Sequence, residues 1–179
     1  MAKYVKIISQ LGAVFLLIAL QLSLISALPR PFFSINLILI LIIFIVMFSG
    51  FPKFIFWSLY AGLLVDVFAF GFFGLFMITF LVTTLIVYFL QINFLTNRSL
   101  YVALTLIALG TLVFNFSFQI LELILGFFSS SSQSIFLFSG FFWQELLYQL
   151  IFHSVLAVIV FYFFSFTTRR FRPELLERK

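Results

Sequence analysis

Six long apolar stretches, separated by short polar or Gly/Pro-containing intervals, organise this chain. The first runs from Ile7 to Leu28 and stops at Pro29-Arg30-Pro31, which cannot continue a helix. The second covers Phe33 to Ser49 and is broken by Gly50-Phe51-Pro52. The third begins at Lys53, where Pro52 suits a helix start, and reaches Phe70. Gly71-Phe72-Phe73-Gly74 reads as a tight turn into a fourth stretch, Leu75 to Ile92. A polar connection from Asn93 to Ser99 leads to the fifth, Leu100 to Phe127. The uncharged stretch from Ser129 to Ser134 is a loop, and the last run spans Phe138 to Phe166. Continuous apolar runs of ~20 residues are the length a helix needs to cross a bilayer. A membrane β-barrel would instead show ~10-residue segments alternating apolar and polar. The pattern predicts an all-α integral membrane protein, a bundle of about six transmembrane helices over residues 1–168.

Composition strengthens this reading. Of the 179 residues, 65% are hydrophobic and only 8% charged, against roughly a quarter charged in soluble domains. A core of this size could not absorb so much apolar surface, so lipid has to solvate part of it. The absence of cysteine excludes disulfides, thiolate metal sites and cysteine nucleophiles. Lys3 and Lys6 before an apolar run resemble the start of a signal peptide, but the run is span-length and Leu28-Pro29-Arg30-Pro31 is no small-residue cleavage site. We therefore expect a retained first helix.

Charge placement sets the orientation. With six spans, Lys3, Lys6, Lys53, Arg98 and the five basic residues of the RRFRPELLERK tail (residues 169–179) share one side, and Arg30 alone lies on the other. The positive-inside rule then puts both termini in the cytoplasm, and an odd number of spans would break the agreement. The basic tail is expected to fix topology and to meet anionic headgroups. Nucleic acid is not implied, because the basic residues sit at span ends.

Charges inside a span are costly, so they are functional candidates by default. Asp66 in the third span follows Gly62 by four residues, which places both on one helix face. A glycine there admits a close neighbouring helix. The carboxyl can cap backbone N–H groups at the tight turn, bond a neighbour in its protonated form, or handle a proton or solute. On the fifth span, Thr111, Asn115, Gln119 and Glu122 form a polar stripe at helical spacing. On the sixth, Glu145, Gln149 and His153 form another, with Gln149 between the two titratable groups. Such stripes either line a solute cavity or hydrogen-bond between helices. His153 is the sole histidine, so no histidine-based metal site can be assembled. HExxH, GxSxG and Gly-rich phosphate-loop patterns are all missing, so neither catalysis, a cofactor nor a metal is expected.

The segment from Gly62 to Thr79, GLLVDVFAFGFFGLFMIT, resembles the rod-shape-determining MreD family of the bacterial elongation machinery. The Gly62-Leu63 pair, Asp66 and the Gly71/Gly74 turn carry the likeness. Chain length, span layout, Arg30-Pro31 and Ile35-Asn36-Leu37 at the entry to span 2, and the short basic tail add to it. The resemblance implies a bacterial inner-membrane protein without enzymatic activity. It would work beside MreC, a RodA-type glycosyltransferase with its transpeptidase, and indirectly the actin-like MreB filaments. Its fold would be similar to the substrate-binding S components of energy-coupling-factor vitamin transporters. On this reading Gly62, Leu63, Asp66, Gly71 and Gly74 are packing or interface residues of the span 3–span 4 hairpin. The alternative is a vitamin transporter S component, with Asn115, Gln119, Glu122, Glu145, Gln149 and His153 lining the pocket. Against it, span 1 offers only Ser9-x-x-x-Ala13 and Ser23-x-x-x-Ala27 where such subunits carry Ala-x-x-x-Ala.

Overall fold

A computed structural model describes residues 11–12, 14–25, 28–29, 32–48, 51, 53–69, 71–95, 99–129 and 140–167. These residues form six helices and no strand. Helix α1 is Val14–Ser23, and its last turn widens into a π-helical turn at Gln21–Ile25. A single 3₁₀ turn, Phe32–Ser34, precedes α2, Leu37–Phe48. Then come α3, Lys53–Phe68, α4, Leu75–Asn93, α5, Leu100–Ser129, and α6, Gly140–Thr167. Three of these, Leu75–Asn93, Leu100–Gly126 and Gly140–Phe163, are long and apolar enough to cross a membrane.

The helices form where the apolar stretches lie, with one informative departure. Helix α2 starts at Leu37 rather than Phe33, because Asn36 accepts the Leu39 N–H on its side chain (3.0 Å) and caps the helix there. Residue 129 still belongs to α5, and the rest of the Ser/Gln loop lies outside the described residues. So do Lys3, Lys6, Arg30, Arg98 and the basic tail.

Helix α2 is the centre of the bundle. It packs against α3, α4 and α5, and eight of its side chains, from Ile38 to Met47, are buried. Around it, α3, α4, α5 and α6 pack each on the next. Aromatic pairs fix the antiparallel level of α4 and α5: Phe80 meets Phe114 and Phe76 meets Phe118, both with ring centroids 5.0 Å apart. Such pairs contribute about 0.5–1.5 kcal/mol each beyond area burial. Because α4 has 19 residues and α5 has 30, the end of α5 beyond Phe118 runs past the start of α4. Threonines 79, 83, 84 and 111 turn their hydroxyls back onto carbonyls one turn earlier, so they sit in the apolar core without an unmet donor.

Much of the exposed surface of α4 and α6 is apolar. On α6, Leu147, Ile151, Val155, Ile159 and Phe163 make one exposed stripe, and α4 shows Ile78, Leu85, Phe89 and Ile92. Water-soluble monomers rarely expose contiguous apolar patches above a few hundred Å². A lipid environment accounts for both stripes.

Two glycines mark the closest helix approaches. A Cβ on Gly62 would stand 2.5 Å from Met77 Cα and 3.2 Å from the Phe76 carbonyl oxygen, both main-chain atoms of α4. A Cβ on Gly110 would meet the Cδ1 end of Ile43 at 2.6 Å, a side chain that can turn away. Gly62→Ala should therefore destabilise by about 1–3 kcal/mol, and Gly110→Ala by clearly less. Retention of a monodisperse peak after heating in mild detergent checks the order, and equal losses would contradict it.

Candidate functional site

A helix beginning inside an apolar medium leaves its first N–H groups without water to bond. At α4 the chain meets this need completely. Gly74 takes a left-handed conformation (φ +94°), which turns the chain sharply into the helix. The Leu75 N–H donates to the Phe72 carbonyl at 3.2 Å, and the Ile78 N–H donates to Gly74 at 2.9 Å. Between them, the Phe76 and Met77 N–H groups donate to Asp66 Oδ1 and Oδ2, each at 2.9 Å. The carboxylate reaches across from α3, is 6% exposed, and sits at the positive end of the α4 dipole. Gly62, one turn earlier on α3, gives the room that lets the carboxylate come so close.

The Gly62-x-x-x-Asp66 spacing and Gly74 thus act together as a clasp between α3 and α4. Leu63 is not part of it: its side chain is exposed on the outer face of α3. Gly71 has open space where a Cβ would stand, so no close approach explains it.

The second polar centre surrounds His153, which is fully buried. Its Nε2 accepts the main-chain N–H of Asn36 at 2.9 Å, and its Nδ1 lies 2.9 Å from Thr111 Oγ1. A backbone amide can only donate, so Nε2 carries the lone pair and Nδ1 carries the hydrogen, which it donates to Thr111. The Thr111 hydroxyl in turn donates to the Ile107 carbonyl at 2.8 Å. Gln21 of α1 completes the group: its Oε1 accepts the Ile38 N–H at 3.1 Å, and its Nε2 is 3.4 Å from Asn36 Oδ1. The start of α2 is therefore held by α1 and α6 at once, with α5 bracing His153 from behind.

The stripes on α5 and α6 meet face to face over part of their length. Asn115 Nδ2 donates to Gln149 Oε1 at 2.6 Å, one rung from the Thr111–His153 contact. Gln119 and Glu145 are half-buried further along, while Glu122 is exposed and stands apart. His153 bonds α2 and α5 rather than Glu145. Sequence reasoning missed Gln21 and Asn36. The signal for Asn36 was its place three residues before Leu39 at the head of an apolar run, a helix-capping position.

No family model, curated protein or solved structure matches this chain.

Removing the Asp66 carboxylate should expose two N–H groups to an apolar interior at about 1–3 kcal/mol each. Asp66→Leu should lose far more thermal stability than Asp66→Asn, which keeps one acceptor oxygen. Similar losses would show that the capping bonds do not matter. Side-chain ¹⁵N NMR should find the His153 ring neutral with its hydrogen on Nδ1, and a hydrogen on Nε2 would contradict the Asn36 bond.

Proposed function

We propose that this chain is a six-span protein of the bacterial cytoplasmic membrane, with both termini in the cytoplasm, that serves as an MreD-type component of the cell-elongation machinery. Its role is non-enzymatic. It organises sidewall peptidoglycan synthesis through helix–helix contacts with an MreC-type protein and with a RodA-type glycosyltransferase and its transpeptidase, and indirectly with MreB filaments.

The observation that carries this reading is the α3–α4 clasp. The motif residues Gly62, Asp66 and Gly74 bear on one physical task, seating α4 on α3 with its N-terminus capped. Asp66 and His153 are both engaged by backbone N–H groups, which suits a rigid framework better than proton transfer. The exposed apolar stripes leave long helix faces for lateral contact with other membrane helices.

Purification of the tagged protein from its native membrane in mild detergent, followed by mass spectrometry, should recover an MreC-like protein or a wall synthase. Recovery of an energy-coupling subunit with its ATPases would overturn this reading in favour of a vitamin-binding subunit. Because the chain has no cysteine, single cysteines report topology directly. Phe73→Cys should react with an impermeant maleimide in intact spheroplasts, and Ser99→Cys only after permeabilisation. The reverse pattern would invert the orientation.

A further inference from the structure

Past the Asn115–Gln149 bond, the α5–α6 seam holds polar groups without a match among the described residues. Gln149 is 7% exposed; its Oε1 accepts from Asn115, and its Nε2 has no acceptor among the described residues. Gln119 Oε1 is buried with no donor among them. Thr111 pairs with His153 and Asn115 with Gln149, one α5 residue four ahead for one α6 residue four behind. Extending this step assigns Glu145 to the rung of Gln119, near where Phe116 of α5 meets Phe142 and Trp143 of α6. Glu145 is half-buried, and no cation meets it among the described residues, where Lys53 at the start of α3 is the only Lys or Arg.

The depth of this rung is defined by α4. Its 19 residues rise about 28 Å, close to the ~30 Å hydrocarbon thickness of a bilayer. The Phe76–Phe118 pair sets Gln119 level with the first turn of α4, so the rung lies where hydrocarbon gives way to headgroups. Ile120 and Leu147, next to it on the two helices, are exposed apolar side chains suited to acyl chains.

We propose that this rung binds the phosphoethanolamine headgroup of a membrane phospholipid. The primary ammonium donates to the Glu145 carboxylate and to Gln119 Oε1, and Gln149 Nε2 donates to a phosphate oxygen. An ammonium supplies both a positive charge for Glu145 and N–H donors for Gln119, which no other described residue provides. A choline headgroup has the same charge and no N–H, and a glycerol headgroup has hydroxyls and no cation. The inference rests on membrane embedding and not on a role in elongation, so it can fail or hold independently of the partner search.

The test uses the full chain in mild detergent, titrated with phosphatidylethanolamine, phosphatidylcholine or phosphatidylglycerol of identical acyl chains and read by native mass spectrometry. The ethanolamine lipid should be retained about tenfold better than the choline lipid, the range of a charge-assisted hydrogen bond. Glu145→Gln and Gln119→Leu should bring the two lipids close to parity, while Glu122→Gln, on the exposed carboxylate nearby, should leave the preference intact. Equal retention of the two lipids by the unaltered chain would overturn the proposal without any variant. So would an unchanged preference in a folded Glu145→Gln protein. Tighter binding of soluble phosphoethanolamine than of the lipid would overturn the assignment to a membrane source.

Discussion

Backbone N–H groups at the start of a helix need acceptors, and in an apolar surrounding only the protein can supply them. Much of this bundle follows from that constraint. Two helices, α2 and α4, begin among other helices, and each has its first N–H groups collected by side chains from elsewhere in the sequence. For α4 a single carboxylate on α3 takes two N–H groups, with local turn carbonyls taking the rest. For α2 the acceptors come from Asn36 itself, from Gln21 on α1 and from His153 on α6. Gln21, Asp66 and His153 therefore tie separate helices together, and they do so with directional bonds that apolar packing lacks. Apolar contact between helices cannot by itself select one arrangement when lipid is equally apolar. The two capping sites and the close approach at Gly62 are what make the packing specific.

The two centres divide the labour. The clasp at Asp66 is local, joining helices adjacent in sequence. The His153 group is long-range, joining α1, α2, α5 and α6, and a chain must have inserted its last helix before that bond can form. Helix α6 otherwise touches mainly α5 and the Phe32–Ser34 turn, so His153 is its principal polar tie to the centre of the bundle.

Much of the helical layout was legible because apolar run length and Gly/Pro breaks determine where membrane-type helices begin and stop. The start of α3 at Lys53 after Pro52, and the turn between Gly71 and Gly74, are read directly from residue types with strong backbone preferences. The shared face of Gly62 and Asp66 was legible from spacing, and among the alternatives left open for Asp66 the structure shows backbone capping. The stripes on α5 and α6 were legible as stripes, but not which rungs pair: that depends on the relative level of two helices, which aromatic contacts such as Phe76–Phe118 decide in three dimensions. Gln21 was hidden for the same reason, since a capping partner 17 residues away leaves no local signature, whereas the start of α2 had a local one in Asn36.

The unequal lengths of the helices have a mechanical result. Helix α3, with 16 residues, rises about 24 Å, whereas α6, with 28, rises about 42 Å. A bilayer of uniform thickness cannot fit both flanks unless α6 tilts or projects. On the six-span reading proposed above, lipid beside α3 is drawn thin, while lipid beside α6 is met by surplus apolar length, at fractions of a kcal/mol per ångström of mismatch. On that reading the protein imposes a thickness gradient around its own perimeter, and neighbouring membrane proteins would feel that gradient before any side chains touch. Short-spanned neighbours would relax the deformation on the α3 flank and long-spanned ones on the α6 flank, so that the membrane itself would sort what assembles on each side.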